Sequence, residues 1–494
     1  MSRRNFLELA ALTSTGAVLA ACGQATQVSP PTQAPVANTA MPAATQAPAA
    51  TQAPAATQAP AATQAPVATQ PPASAPVTIK WWDFPEQWAP PGTAENPNAW
   101  NKSVAQQYMT ANPNVTIDFT SISWDDGPQK LNVAIAADQG PDITYAYPAL
   151  FGTMLSLNAL ADVSPYVAIY PDYKDFYQSG WDFVTIKGKQ YGWPWYFGSE
   201  SEWAINTTVV KEAGAEDLLP KAPDFGWTVD QMIALYQKCT FKRANGDQVW
   251  GSVVYANEQQ GINCWPMYSY AYAYGAYLYD ETARKSDFGG DAGVKAFQLM
   301  YDLVKKYKVS PPGAAGLASK DGQELWNRKQ ETVQTFNGVQ QQIGLKAALA
   351  AGTIQAPFEV LPVLPPFAEG APKKVSGGIW TLLDYAQKDP AKLDQVVAFT
   401  EWLLSPTNME VFVHLANLCA RISTTEKLTA NDPLSQWRIK YVLPFMMGYS
   451  KAPEDFKIDD AWMQALQSML EDKQTPADAA KSFQDAANKL LSGA

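Results

Sequence analysis

The sequence predicts an open, mostly parallel α/β fold between Val77 and Ala494, behind a leader that cannot fold by itself. Three observations carry this expectation. Short alternating apolar runs take turns with stretches of helical apolar spacing, the pattern of a sheet flanked by helices. The C-terminal third then changes to helical spacing with few strand signals. From about Ala25 to Pro76 the chain instead repeats Ala-Thr-Gln-Ala-Pro-Ala, with no charged or aromatic residue. Such a segment has too little apolar surface to offset the entropy of ordering, and its prolines favour extended conformations.

Taken in order, the first element is an address. Ser2-Arg3-Arg4-Asn5-Phe6-Leu7 reads as a twin-arginine export signal, followed by a short apolar run ending in Leu19-Ala20-Ala21-Cys22. Small residues before a lone cysteine form a lipobox, so residues 1–21 are expected to be cut away and Cys22 lipidated. The run is too short to span a bilayer. The repeat then reads as a tether over residues 22–76, roughly fifty residues that at about 3.1 Å each reach on the order of 150 Å when extended. The predicted location is extracytoplasmic, on the cell membrane.

Val77-Thr-Ile-Lys-Trp-Trp82 alternates and predicts the first strand. A helix is expected over about 98–110, ended by Asn112-Pro113, and a second strand over 115–120. A helix over about 129–138 stops at Gly140-Pro141, and Asp142-Ile-Thr-Tyr145 opens a third strand. Asp126 is placed to cap the helix behind it or to meet a ligand. Later, residues of about 393–414 and 459–491 show helical spacing, with Pro476 in the first turn of the last helix.

Composition removes several classes of chemistry. The chain has 36 basic and 47 acidic residues, a formal charge of −11; losing Arg3, Arg4 and Glu8 with the signal makes it −12. It has no basic run, so nucleic acid is not an expected partner. His414 is the single histidine, in an apolar helical stretch. Multi-histidine zinc sites and serine or cysteine triads therefore fail, leaving paired carboxylates as the one enzymatic option. No metal and no cofactor are expected. Cys239 and Cys264 could pair, but Cys419 would be left over.

Several motifs in order resemble one family. Asp138-Gln-Gly-Pro141-Asp142-Ile precedes the third strand, and Gly188-Lys189-Gln190-Tyr191-Gly192-Trp193-Pro194 resembles a Gly-Lys-Xaa-Tyr-Gly-Xaa-Pro hairpin. Asn206 fits a Tyr-Asn signature in which Ile205 replaces the tyrosine. Trp227-Thr228-Val229-Asp230, Val360-Leu-Pro-Val-Leu-Pro365, Gly377-Gly378 and Thr475-Pro476-Ala477-Asp478-Ala479 follow. From about residue 77 to the end, the chain resembles the carbohydrate-type extracellular solute-binding proteins of ABC importers, the family that includes maltose-binding protein.

The resemblance implies a periplasmic-binding-protein-like fold of two lobes, each a mostly parallel sheet flanked by helices, with a helical C-terminal region. Lobe 1 is expected over 77–190 with a returning segment of about 340–395. Lobe 2 is expected over 191–339 with about 396–494. The implied partners are a carbohydrate in the interlobe cleft, an ABC permease, and the membrane through the lipid on Cys22, with a monomeric head and no catalysis.

The residues support a sugar independently. Ligands of open parallel sheets sit beyond the carboxyl ends of the strands, and those positions are aromatic here. Sugar C–H faces stack on flat rings, while hydroxyls need paired donors and acceptors. Seventeen Trp against one His suits stacking without acid–base chemistry. The expected ligand-binding residues are Trp82, Asp83, Trp195, Tyr196, Trp380 and Gly378, then Glu200, Glu258, Asn263 and Trp265. Most of the aromatics are expected to be core, with about a third lining the cleft. Two rivals stay open: a secreted glycoside hydrolase using two carboxylates, and a receptor head that presents its ligand to a sensor.

Overall fold

The structure, a computed structural model of the 494-residue chain, describes residues 76–84, 98–123, 126–146, 148–198, 202–258, 265–280, 283–335, 338–350, 352, 354, 356–414, 418–447 and 451–493. The export signal and tether lie outside these residues.

Strand β1 (Val77–Asp83) pairs in parallel with β2 (Val115–Ser121), from Val77 opposite Val115 to Asp83 opposite Ser121. Its alternation sends Ile79 and Trp81 fully into the core, while Trp82 on the other face is half-buried. Helix α1 (Ala99–Ala111) links the two strands, and α2 (Gly127–Ala136) leads to β3 (Ile143–Ala146), which pairs in parallel with β1 on its other side. These elements lie within two residues of the sequence expectation at most boundaries. At the start of α2, Asp126 occupies the N-cap position but makes no side-chain cap bond; its carboxylate meets Lys130 at 2.8 Å instead.

Next comes the Gly188 hairpin. Ile186 faces Lys189 across a two-residue loop, Lys187-Gly188, with φ of 50° and 80°. A tight hairpin whose two loop residues both have positive φ matches the right-handed twist of its strands, which explains the glycine. Strand β4 (Trp193–Phe197) follows, fully buried. The chain then crosses to β5 (Trp203–Asn206), where Asn206 caps the next helix by accepting from Val209 N at 3.2 Å.

β5 is the centre of a three-stranded sheet, antiparallel to β6 (Val333–Gln334) and β7 (Val360–Val363). The helix Val229–Lys238 starts as expected at Thr228, whose side chain forms a reciprocal capping box with Gln231. Helix α3 (Asp291–Lys305) shares a core with this sheet, and α4 (Gly338–Ala350) runs between β6 and β7.

After β7 the chain returns to the first sheet as β8 (Ile379–Asp384), antiparallel to β3 and β4 on its two sides. Helices α5 (Pro390–Leu403) and α6 (Pro406–His414) follow, then β9 (Leu418–Cys419) beside β4. The six-stranded order is β9-β4-β8-β3-β1-β2, with β1, β2, β3 and β4 all pointing one way. The C-terminal segment is helical: α7 (Pro433–Tyr441), α8 (Asp455–Leu470) and α9 (Pro476–Leu491), the last capped by Thr475 with proline at its first position.

Two large cores result. The first gathers Ile79, Trp81, Ile143, Trp195, Leu382, Phe399 and Phe412; the second gathers Trp203, Met232, Leu235, Phe297, Trp462, Leu466 and Phe483. The passages between them fall elsewhere than the sequence suggested. β4 adds to the first sheet after residue 190, α5 and α6 pack on the first core, and β7 belongs to the second sheet. A run buried on both faces, such as Trp193–Phe197, has no alternation to show which sheet it joins. Among the described residues Cys239 and Cys419 are free and buried; Cys264, the expected partner of Cys239, lies outside them.

Candidate functional site

The strand directions bring one edge of the first sheet together. Because β1, β3 and β4 are parallel and β8 and β9 run against β4, the ends Asp83, Ala146 and Phe197 lie with the starts Ile379 and Leu418. Gly198 N donates to Gly378 O at 3.0 Å, extending the β4–β8 ladder past Trp380. The register of that ladder shifts between Trp380 and Thr381. In the second sheet the end of β6, the end of β7 and the start of β5 likewise share one edge, at Gln334, Val363 and Trp203. The passages between sheets leave from both edges, so these two edges mark the candidate site.

Asp83 and Trp82, neighbours on one strand, point to opposite faces. Asp83 is buried; Asn101 Nδ2 donates to its Oδ2 at 3.0 Å and the Phe84 backbone N–H to its Oδ1 at 3.0 Å. Trp82 stands on the outer face, beside Thr120 of β2.

Tyr196, Trp380 and Phe412 form a ladder of rings. Tyr196 stacks on Trp380 at 5.6 Å and 6° and on Phe412 at 4.9 Å and 21°. Tyr145 flanks Trp380 at 5.2 Å. Trp195 meets Phe412 edge-on at 5.0 Å and 83°, and is fully buried. Of these rings Trp380 is the more open, at 8% exposure, against 3% for Tyr196 and 0% for Trp195.

In the second group, Glu258 is half-buried and accepts a hydrogen bond from Ser319 N, the first residue of the helix Ser319–Asn327. Its carboxylate thereby meets the positive end of that helix. Trp265 opens the helix Trp265–Tyr272. Glu200 and Asn263 lie outside the described residues.

Three features escaped the sequence reading. Glu202, just before β5, is fully buried and accepts from Arg438 Nε of α7 at 2.6 Å. Burial pushes its carboxyl up, against the pull of the Arg438 charge. No sequence signal joins two residues 236 positions apart. Tyr268 and Tyr279 donate to Asp459 and Asp455, one turn apart on α8. Burial raises the Asp459 carboxyl well above the carboxylate range, with the Asp455 charge adding to it. Third, a small core of Val339, Leu364, Phe367, Val375, Trp437 and Val442 ties α4, the passage after β7 and α7 together. Among the described residues, no group of three or more His, Cys, Asp or Glu could hold a metal ion.

Comparison with known proteins now bears on this geometry. The profile of the bacterial extracellular solute-binding protein family matches residues 91–410. An ABC transporter solute-binding protein from Thermotoga lettingae, solved with α-D-tagatose, is 22% identical with a TM-score of 0.68, covering 84% of this chain and 99% of its own. An ABC substrate-binding protein from Listeria monocytogenes in complex with cycloalternan is 19% identical, with a TM-score of 0.65 and coverage of 84% and 99%. The maltose/maltodextrin-binding domain of Bdellovibrio bacteriovorus, bound to maltotriose, is 14% identical, with a TM-score of 0.66 and coverage of 83% and 99%. A comparison with curated protein sequences gave no match. At these identities the structural likeness establishes the fold, and the profile match, which spans more than half of the chain, establishes the family. The chain belongs to the bacterial extracellular solute-binding proteins, two-sheet α/β binding proteins that work outside the cytoplasm.

Proposed function

We propose that this protein captures a carbohydrate between its two sheet edges and delivers it to an ABC permease, held to the membrane by a lipid on Cys22. The observation that carries this reading is the family match over residues 91–410, on a chain whose first sheet sets Tyr196, Gly378 and Trp380 along one edge. The structural neighbours named above were solved with sugars, which supports a carbohydrate over other solutes. Solute binding leaves the hydrolase reading without support, since the family match implies no bond cleavage.

Mechanistically, the unliganded protein exposes its site, and a ligand touching both halves favours the closed arrangement by its differential affinity for it. Trp82 and Trp380 supply apolar faces from the first half, with Tyr196 stacked behind Trp380 and Asp83 holding Asn101. Glu258, Trp265, Glu200 and Asn263 are the further groups assigned to the ligand. The lipobox and tether then place a head of two lobes outside the membrane at the end of a long polar leash.

A thermal-shift screen of the unlipidated mature chain against mono- and oligosaccharides, polyols and sugar phosphates tests the proposal. A ligand that binds the folded state alone stabilises it by RT ln(1 + [L]/Kd), about 2.7 kcal/mol at a hundredfold excess over Kd. One sugar class raising Tm, with the sugar recovered intact, is the expected result. A shift accompanied by cleaved sugar, or a shift confined to non-carbohydrates, contradicts it.

A further inference from the structure

We propose that a groove on the outer face of the first sheet, between α2 and the edge strand β2, is a subsite for the distal units of an extended neutral oligosaccharide. The inference rests on the carbohydrate reading above and deepens it, since it sets the ligand's length. β2 is the last strand of its sheet, and its outward residues Thr116, Asp118 and Thr120 are exposed. α2 leaves these three residues exposed. Between them lies an open cavity of about 730 Å³, within the roughly 300–1,000 Å³ of small-molecule sites.

Its lining has the chemistry of a sugar subsite. The half-buried ring of Trp82 forms an apolar platform, and Val133 of α2 stands opposite, 62% exposed. Gln129 and Gln139 offer neutral amides, and Thr120 and Ser121 offer hydroxyls. The charged lining residues, Asp126 and Lys130, are paired with each other at 2.8 Å, so the groove carries little net charge. A ring face stacks on the C–H side of a sugar while amides and hydroxyls satisfy its hydroxyl groups.

Continuity fixes the occupant. The groove begins at Trp82, Ile122 and Asp126, at the carboxyl ends of β1 and β2, and runs along α2 to Ala137 and Gln139. A chain seated at the strand ends thus has a path outward over Trp82, whereas a single sugar ring would leave the groove empty. Trp82 faces this groove and Asp83 the core, so the two adjacent candidates serve different parts of the site.

The test uses the unlipidated mature protein and its Val133→Arg and Ala134→Arg variants, which obstruct the groove from α2 without altering the strand ends. Titration calorimetry runs over gluco-, manno- and xylo-oligosaccharides from mono- to hexasaccharide. For the series that binds, affinity is expected to rise with length in the parent. Each variant should weaken the longer sugars by about tenfold or more, to the level of the short ones, whose affinity stays unchanged. Equal affinity for short and long sugars, or variants that bind long sugars as the parent does, overturns the groove while leaving carbohydrate capture intact. Loss of a dimer in the variants with unchanged sugar affinity also overturns it, and makes this face an interface between copies. Failure of every sugar to bind removes the carbohydrate reading itself, and the groove proposal with it.

Discussion

Asp384 is buried in β8, where Thr400 Oγ1 donates to Oδ1 at 2.6 Å and Trp193 Nε1 to Oδ2 at 2.8 Å. Burial raises its carboxyl to about 6, outweighing both hydrogen bonds. The folded state therefore holds this proton more tightly than the unfolded chain. The contribution is fully present below about pH 4 and is lost as pH rises through 6, a difference on the order of 2–3 kcal/mol. Asp384→Asn keeps an acceptor for Trp193 and gains a donor toward Thr400. Urea titrations between pH 4 and 7 should show this variant with a flatter pH dependence than the parent, and relatively more stable at pH 7. Identical pH profiles would show that Asp384 does not titrate in this window. The sequence marked Gly188 and Thr228 well, because positive φ and a capping box are local requirements. It could not separate cleft from core among the tryptophans. Trp195 and Trp380 sit on adjoining strands with similar neighbours, and the tertiary stacking decides how open each ring is.

At the scale of elements, the passages between sheets meet in one joint. Gly338 N donates to Glu202 O at 2.9 Å, and a Cβ on Gly338 would stand 2.3 Å from Trp203 O, so only glycine allows α4 to start this close. Trp437 Nε1 donates to Asp224 O at 3.0 Å, and its neighbour Arg438 pairs with Glu202. Glu202 Oε2 has no hydrogen-bond partner among the described residues. Removing one partner of a buried pair leaves the other charge uncompensated, typically at about 3–5 kcal/mol, whereas replacing both with apolar groups is often near neutral. Arg438→Met should therefore destabilise more than the double variant Glu202→Met, Arg438→Met, as read by urea denaturation. A double variant less stable than Arg438→Met would mean the pair itself holds the joint. This joint was invisible in the sequence for a physical reason: the pairing spans most of the second sheet's residues, and no periodicity records it. Helices α1, α2 and α9 and the first three strands were legible because each follows from local spacing, whereas α3, α4 and α7 went unread. The order in which later strands join the sheets was not, since β4, β8 and β9 are buried on both faces or too short to alternate.

For the whole molecule, two sheets turn the edges that mark the site toward the passages between them, and those crossing segments form a joint. The two large cores are separate, with Trp203 and Trp462 in one and Trp81 and Trp195 in the other, while a small third core binds the crossing segments. Separate cores let each half move as a unit, and a compact joint confines the motion to a few residues. Under the proposed function, a ligand gripped from both halves draws them together. Small-angle X-ray scattering of the unlipidated mature chain, with and without a saturating sugar from the thermal screen, tests this most directly. The head should have a smaller radius of gyration when the sugar is bound. An unchanged radius at saturation would contradict capture by closure.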